Sequence, residues 1–326
     1  MRLPFRVAGT GSFLPGAPID NEEVVRRGQG LPGAAWIEEA TGIRARHFAG
    51  AGDSVASMAE AASRLALEAA GLDGAALKRV LLVTSQGGDR PAPATSYDLA
   101  HRLGVRAGVA DIGSACQGWL FALDLGARLV ATGEAPVLIV ASELLSRRVL
   151  NPADPRTWPI FGDGAAAVVI DRARGDGGLV AVQQATFGEH SRAVHIPGPD
   201  DPERVEGAFV RFGSGGKFIR DQAEALLGPV VEQALREAGL SRADLDYVVP
   251  HQPNAVWLRR LCRVLDLPIE RVKVIVDHTA NLSSVMVPMG LDHLWRGELP
   301  PRSGQHALMC SIGSGVGVAA MVLRVD

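Results

Sequence analysis

The sequence predicts an α/β protein built from two similar halves. Its composition, 47% hydrophobic and 21% charged over 326 residues, is typical of a globular chain with a large core. Apolar strand-like runs alternate with helical segments, as where the apolar residues 79–84 follow a helix that Ser54 caps and Gly71 ends. The segment at 66–72 (ALEAAGL) recurs at 234–240 (ALREAGL), and an apolar strand follows each without a gap. Such self-similarity indicates an internal duplication.

A second repeat supports the same division. A strand, a turn of small residues at Cys116, a helix and a further strand recur in the second half. There the predicted elements are a strand at 274–277, a turn at Asn281, a helix ending at Arg296 and a strand at 306–311. We therefore predict two α/β halves, residues 1–175 and 176–326, divided by a turn rich in Gly, Arg and Asp at 172–178.

Charge and cysteine usage exclude several classes of protein. A net charge of −3 offers no attraction for nucleic acid or an anionic membrane. No run of about 18 apolar residues and no apolar signal-peptide core is present, so we expect a cytoplasmic protein. Three cysteines without paired spacing fit a reducing compartment, and without a CxxC or HExxH pattern no metal site is expected.

The stretch around Cys116 joins a strand to a helix. Residues 105–112 are apolar and predicted to form a buried strand, and a mostly apolar helix follows. Small neighbours leave room for the sulfur, and a thiol in the first helical turn faces free N–H groups that favour the thiolate. The same stretch also fits a cysteine that fills the core as a small hydrophobic residue. Both interpretations stay open on this stretch alone.

Two further residues make Cys116 a candidate nucleophile. His251 follows the strand 247–250 in a loop rich in Pro and Asn, at the end of a sheet where ligands bind. Asn281 lies in the turn that the repeat relates to Cys116. These residue types together indicate attack of a thiolate on an acyl carbonyl. Papain-like peptidases use the same types in the same order, but the sequence after Cys116 and the duplicated α/β pattern do not fit that class.

The chain resembles the ketosynthase III branch of the thiolase superfamily over essentially its whole length. The resemblance implies an α/β fold with a thiolase-like, duplicated five-layered αβαβα architecture, and a homodimer. The motifs that carry it are Gly9-Thr10-Gly11-Ser12, Thr41-Gly42-Ile43-Arg44, Ala115-Cys116-Gln117-Gly118, Phe161-Gly162-Asp163-Gly164, Pro250-His251-Gln252-Pro253-Asn254, Asn281-Leu282-Ser283-Ser284 and Gly313-Ser314-Gly315.

The resemblance also implies a mechanism. Cys116 would take an acyl group from a thioester of coenzyme A or of acyl carrier protein, with backbone N–H groups of Cys116 and Ser314 holding the oxyanion. A malonyl group on acyl carrier protein would then lose carbon dioxide, and donors from His251 and Asn281 would stabilise the enolate that attacks the acyl thioester. These thioesters are substrates, and no separate cofactor is expected.

Departures from the family pattern bear on the acyl donor. Ala40 and Val256 stand where the family commonly has basic residues that grip the phosphates of coenzyme A, which favours a carrier-bound acyl group. Ala92 and Pro93 are small where the family often has a bulky residue at the acyl pocket of the dimer mate, which implies a larger or unusual acyl group. Together the departures imply a role in specialised metabolism. The positions expected to contact substrate are Trp36, Asn254, Trp119 and Ala92.

Two alternatives remain open at this stage. The acyl group on Cys116 could pass to an oxygen or nitrogen of a small molecule instead of a carbon nucleophile. The chain could also be a non-catalytic partner subunit of a condensing enzyme, although it keeps Cys116, His251 and Asn281.

Overall fold

The computed structural model describes residues 2–213 and 215–326, without the side chains of 205, 206, 215–220 and 222–224. The strands of this described part are β1 Leu3–Pro4, β2 Arg6–Phe13, β3 Ile19–Asp20, β4 Ala45–Arg46, β5 Arg79–Val83, β6 Gly108–Ile112, β7 Val137–Glu143, β8 Gly164–Asp171, β9 Gly178–Thr186, β10 Tyr247–Pro250, β11 His306–Gly313 and β12 Gly317–Arg324. Its α-helices are α1 Asn21–Arg27, α2 Ala34–Thr41, α3 Val55–Ala70, α4 Thr95–Leu103, α5 Gly118–Ala131, α6 Leu145–Arg148, α7 Gly215–Ala238, α8 Ala255–Val264, α9 Val276–Thr279 and α10 Met286–Trp295.

Two five-stranded sheets form the framework. The first has the order β2-β8-β7-β5-β6 and the second the order β1-β9-β12-β11-β10. Each sheet contains a parallel pair beside antiparallel strands: β5 runs parallel to β7 in the first sheet, and the edge strand β10 runs parallel to β11 in the second. The two sheets therefore repeat one topology, as expected for a duplicated chain.

The duplication is incomplete at one edge. The counterpart of β6 in the second half is reduced to a single parallel bridge between Val248 and Val272. The strand predicted at 274–277 is therefore wrong, because this segment enters the short helix α9. The chain passes from the first sheet to the second between Asp171 and Gly178, but β1 lies in the second sheet beside β9.

The helices pack in three layers around the two sheets. Helix α3 covers the outer face of the first sheet, and α7 covers the outer face of the second. Helices α5 and α10 lie between the sheets and contact strands of both. This arrangement is the predicted five-layered αβαβα architecture. Within the described ranges, no helix has the length and apolar character needed to cross a membrane.

Strand β6 differs from the prediction of a buried strand. It forms the edge of the first sheet, where it pairs with β5, and Gly108 and Ala110 on it are exposed. The apolar residues of β6 thus lie at a sheet edge that this chain does not cover. The hydrophobicity of the sequence does not distinguish such an edge strand from a buried central strand.

The two glycines of β2 permit a close approach to helix α3. A Cβ on Gly11 would lie 2.5 Å from the backbone oxygen of Ala62 and 2.6 Å from the backbone nitrogen of Ala66. A Cβ on Gly9 would likewise overlap the backbone of Ala66. The Gly9–Gly11 pair is therefore a packing feature of the strand–helix contact.

Substituting Gly11 tests this contact. We expect Gly11→Ala to lower the free energy of unfolding by roughly 1–3 kcal/mol, because backbone atoms of α3 must shift to admit the methyl group. Chemical denaturation measures the change. Gly198→Ala is the matched control, since a Cβ there meets no atom within 4 Å. Equal stability of the two variants would contradict the assigned packing role.

Candidate active site

Cys116 lies in a tight turn between β6 and α5. The 3-10 turn Ala115–Gln117 precedes the first residue of α5. Ala115 has a φ of 46°, in the left-handed region that non-glycine residues seldom occupy. Strain of this kind persists where the surrounding structure fixes the backbone, and it is common at functional sites. As a whole residue Cys116 is partly exposed, whereas Cys262 and Cys310 are buried.

The thiol of Cys116 is not held as a thiolate. Burial of the sulfur, together with the negative charge of Glu143, raises its pKa to about 11. The hydrogen bond between the sulfur and the Ser283 hydroxyl, and those from the backbone N–H groups of Ser314 and Cys116, act in the opposite direction. The N–H groups of the turn favour the thiolate, in the direction expected from the helix start, but desolvation outweighs them. Attack by the sulfur requires a group that takes its proton.

The hairpin between β11 and β12 covers the nucleophile turn. A Cβ on Gly313 would lie 3.0 Å from the backbone nitrogen of Cys116 and would overlap the side chain of Gln117. Gly317 faces the same Gln117 side chain. The close fit brings the N–H of Ser314 to the sulfur. The backbone N–H groups of Ser314 and Cys116 thus lie beside one sulfur, and their role as donors to an oxyanion stays a prediction.

Asn281 approaches Cys116 from the second half of the molecule. Its backbone nitrogen donates to the oxygen of Ile160 at 2.9 Å, and its carbonyl accepts from the nitrogen of Gly162 at 3.1 Å. Its side-chain oxygen accepts from the nitrogen of Ser283 at 2.8 Å. The acceptor end of the amide is thereby engaged, and its NH₂ group is the end left to donate to a substrate.

Ser283 connects the two turns. Its hydroxyl lies 3.5 Å from the sulfur of Cys116. Its φ of 50° is also in the left-handed region, so both turns carry a strained residue beside the thiol. The facing turns predicted from the repeat are therefore present in the structure.

His251 follows β10 and is attached to the strand that leads to Ser314. Its backbone nitrogen donates to the oxygen of Cys310 on β11 at 2.8 Å. The side chain is only 2% exposed, and burial lowers its pKa to about 4. The imidazole is therefore neutral near pH 7, with one N–H donor. Among the described residues, its Nδ1 has no hydrogen-bond partner.

The residues predicted to contact substrate lie in different environments. Trp36 is 48% exposed on α2, and Asn254 caps the adjacent α8 by accepting from the nitrogen of Trp257 at 2.7 Å. Ala92 is exposed in the loop before α4. Trp119 is fully buried in the core between the sheets. Packing accounts for Trp119 and capping accounts for the side-chain oxygen of Asn254, so a substrate contact at each stays a prediction.

Glu143 is a buried acid near Cys116 that sequence reasoning did not identify. Glu143 ends the otherwise apolar β7 and is completely buried. It accepts hydrogen bonds from the Ser85 hydroxyl at 2.9 Å and the Ser284 hydroxyl at 2.6 Å. A single carboxylate at the carboxyl end of a buried parallel strand was the available signal, because such strand ends commonly face ligand sites.

Comparison with known proteins places this geometry in context. Residues 110–188 match the family 3-oxoacyl-[acyl-carrier-protein] synthase III, and residues 235–325 match the C-terminal region of the same family. The chain is 37% identical to a β-ketoacyl-[acyl-carrier-protein] synthase III of Methylococcus capsulatus, over 98% of both chains. It is 35% identical to the enzyme of that name from Erythrobacter litoralis, again over 98% of both.

Solved structures agree in fold. A priming β-ketosynthase from the R1128 polyketide biosynthetic pathway superposes with a TM-score of 0.90 and 33% identity, covering 100% of this chain and 97% of that one. A 3-oxoacyl-(acyl carrier protein) synthase III from Pseudomonas aeruginosa gives a TM-score of 0.88 at 31% identity, with 99% and 98% covered.

Proposed function

Because the chain belongs to the 3-oxoacyl-[acyl-carrier-protein] synthase III family, we propose that it joins an acyl group on Cys116 to a malonyl unit on acyl carrier protein. The observation that carries this proposal is the convergence of two turns from the second half of the chain on the sulfur of Cys116, which lies in the first half. The hydroxyl of Ser283 and the N–H of Ser314 both approach Cys116.

In the first step the sulfur of Cys116 attacks the carbonyl carbon of an acyl thioester. The carbonyl oxygen becomes an oxyanion, which the N–H groups of Cys116 and Ser314 stabilise. Collapse of this intermediate expels the donor thiol and leaves an acyl thioester on Cys116. The thioesters are the substrates, and the proposal includes no further cofactor.

In the second step the malonyl group loses carbon dioxide. The electrons of the broken bond form an enolate, whose oxygen receives hydrogen bonds from Nε2 of neutral His251 and the amide of Asn281. Negative charge develops on this oxygen during decarboxylation, so both donors stabilise the transition state more than the bound substrate. The enolate carbon then attacks the acyl group, and Cys116 leaves as the thiolate.

The acyl donor we propose is an acyl carrier protein in specialised metabolism. Ala40 and Val256 are exposed on neighbouring helices α2 and α8, where basic residues would bind the phosphates of coenzyme A. Trp36 and the amide nitrogen of Asn254 would contact the donor at this entrance. The similarity to a priming ketosynthase of a polyketide pathway supports this assignment.

We further propose a cytoplasmic homodimer. Strand β6 is an open edge, and Phe121 and Leu125 on α5 are exposed by 46% and 37%. Tyr97 on α4 is exposed by 59%. An open sheet edge beside large apolar side chains is suited to pairing with a second copy. The loop at Ala92 would then border the acyl site of the partner.

Mass measurement with defined donors tests the function. Incubation with acyl-CoA and acyl-carrier donors, followed by malonyl-carrier protein, should first add the acyl mass at Cys116 and then release carbon dioxide with a β-ketoacyl product. If Cys116 is acylated and the acyl group then passes to an oxygen or nitrogen acceptor without release of carbon dioxide, the protein is an acyltransferase and not a condensing enzyme. Absence of any acyl-enzyme across the donor panel would refute both.

Restoring the missing charges tests the donor assignment. We expect the double variant Ala40→Arg, Val256→Arg to lower the KM for acyl-CoA by about threefold to tenfold, because each new charge-assisted contact contributes up to roughly 1 kcal/mol at an exposed site. Steady-state kinetics with the acyl-pantetheine thioester is the control, since this donor lacks the nucleotide phosphates. An equal change with both donors, or no change, would contradict the assignment.

A further inference from the structure

Glu143 is a buried acid that the two proposed steps leave without a role. It is fully buried at the end of β7, and it accepts from the backbone nitrogen of Ser85 at 3.0 Å as well as from two hydroxyls. Burial raises its pKa to about 7, although these hydrogen bonds favour the charged form. The described residues that hydrogen-bond to Glu143 are Thr84, Ser85 and Ser284, and none of them is basic. A buried carboxylate without a counter-ion is costly and calls for a physical reason.

A continuous series of hydrogen bonds links this acid to the nucleophile. The hydroxyl of Ser85 donates to Oε2 of Glu143 at 2.9 Å, and the hydroxyl of Ser283 donates to Oγ of Ser85 at 3.2 Å. Because the proton of Ser283 is used in this way, its oxygen can accept the S–H of Cys116 at 3.5 Å. All three bonds then point from the sulfur toward the carboxylate.

The strained turn at Asn281 positions Ser283 between the thiol and Ser85. The side-chain oxygen of Asn281 holds the nitrogen of Ser283, whose φ is 50°. Ser284, the next residue, donates its hydroxyl to the other oxygen of Glu143. The turn therefore binds the carboxylate with one serine and reaches the thiol with the preceding one.

The charges in this region favour proton exchange between the thiol of Cys116 and the carboxylate of Glu143. Glu143 faces Thr84 and Ser85 from the end of β5, Ser284 from the turn after Asn281, and the thiol of Cys116. Of these residues, Cys116 is the titratable one. His251 is the other titratable residue of the site, and burial is the cause of its lowered pKa. Ionising the thiol while Glu143 is charged would place two negative charges in one buried site. Passing the proton from sulfur to carboxylate keeps a single charge.

We propose that Glu143 accepts the proton of Cys116 through Ser283 and Ser85 as the sulfur attacks the acyl donor. The S–H bond breaks and each serine passes on one proton, so that Glu143 becomes the neutral acid while the sulfur forms its bond to the acyl carbon. The donor thiol leaves as a thiolate and takes its proton from water. After condensation, Cys116 leaves as a thiolate and recovers the proton from Glu143 by the reverse path. The acyl step rests on the proposed function.

The pH dependence of Cys116 alkylation tests the exchange without any acyl substrate. Iodoacetamide reacts with the thiolate, and the labelled Cys116 peptide is quantified by mass spectrometry in the intact enzyme. The wild-type rate should rise to about pH 7, level off while the proton is shared, and rise again toward the pKa of about 11. In Glu143→Gln the level region should be replaced by a continuous rise of about tenfold per pH unit. Asp111→Asn, which changes a carboxylate on the adjacent β6, should keep the wild-type profile.

The rate of acyl transfer tests the path. Glu143→Gln should slow single-turnover acylation of Cys116 at pH 7.5 by about 10²-fold, the range of general-base catalysis. A purely electrostatic role predicts the opposite sign, because removing the negative charge lowers the pKa of the thiol and speeds acylation. Ser85→Ala keeps the carboxylate but breaks the series, so it should slow acylation while the level region of the alkylation profile remains.

Three results would overturn the proposal: a wild-type alkylation profile without the level region, faster acylation in Glu143→Gln, or unchanged acylation in Ser85→Ala. Thermal melting of each variant checks that the fold is kept, and Ser85→Ala serves if Glu143→Gln does not fold. If wild-type enzyme accepts no acyl group, the proposed function fails, whereas the alkylation profile still reports whether Glu143 and Cys116 share a proton.

Discussion

Cys116→Ala is expected to form no acyl-enzyme and to reduce β-ketoacyl product below detection. The substitution removes the sulfur to which the acyl group is transferred, and no other described side chain in the turn can replace it. The fold should be retained, because Cys116 is partly exposed in a turn and lies outside the buried core clusters. Intact-mass measurement after incubation with the acyl donor detects the acyl-enzyme, and chromatography of the carrier-bound product measures condensation.

The matched control is Cys262→Ala. Cys262 is buried in the core of the second half, where burial raises its pKa to about 11. This variant should still take up one acyl group and form product, at some cost in stability from the small cavity. Cys116→Ala protein that forms β-ketoacyl product at the wild-type rate would refute a covalent mechanism through Cys116.

The sequence predicts most of the framework because the relevant signals are local. Ser54 does cap α3, by accepting from the nitrogen of Ser57, and Gly71 ends that helix with a φ of 67°. The repeated ALEAAGL-type segments predict two related halves, and four strands follow the same order in both sheets, β2-β8-β7-β5 and β9-β12-β11-β10. Caps, apolar periodicity and repeats are properties of neighbouring residues, so they can be interpreted before the chain is folded.

The differences arise where distant parts of the chain decide the structure. Residues 274–277 have the composition of a strand, but the second sheet ends at β10 and they enter α9. Strand β6 contains apolar residues that predict a buried strand, but it also carries Asp111 and lies at an edge. In both cases the position within the sheet, and not the local sequence, determines the outcome.

The candidate site shows the same limit. Sequence reasoning identifies Cys116, His251 and Asn281 as a set, because each lies in a recognisable turn or strand end. It does not identify Glu143, whose proximity to the thiol depends on Ser85 and Ser283 from different parts of the chain. It also identifies N–H groups at the helix start that favour the thiolate, but it does not show that desolvation of the sulfur outweighs them and raises the pKa. Desolvation is a property of the folded site and has no sequence signature.

His251→Ala is expected to separate the two steps of the reaction. The oxyanion of the first step is proposed to be held by backbone N–H groups of Cys116 and Ser314, so acylation should proceed at close to the wild-type rate. Decarboxylation of malonyl-carrier protein should fall by about 10²–10³-fold, the usual effect of removing one donor from a developing oxyanion. Acylation is followed by intact mass and decarboxylation by release of labelled carbon dioxide.

The physical reason for this separation is the neutral state of His251. With its pKa lowered to about 4 by burial, the imidazole is uncharged at pH 7 and acts as a hydrogen-bond donor, so its removal deletes one bond to the enolate and no positive charge. His251→Gln restores an N–H donor and should recover part of the decarboxylation rate, whereas His101→Ala, on the exposed surface of α4, should leave both steps unchanged. Equal losses of acylation and decarboxylation in His251→Ala would instead assign His251 to the activation of Cys116, in competition with Glu143. Comparison of the alkylation profiles of His251→Ala and Glu143→Gln then identifies which residue takes the proton of the thiol, because the level region disappears when the true acceptor is removed.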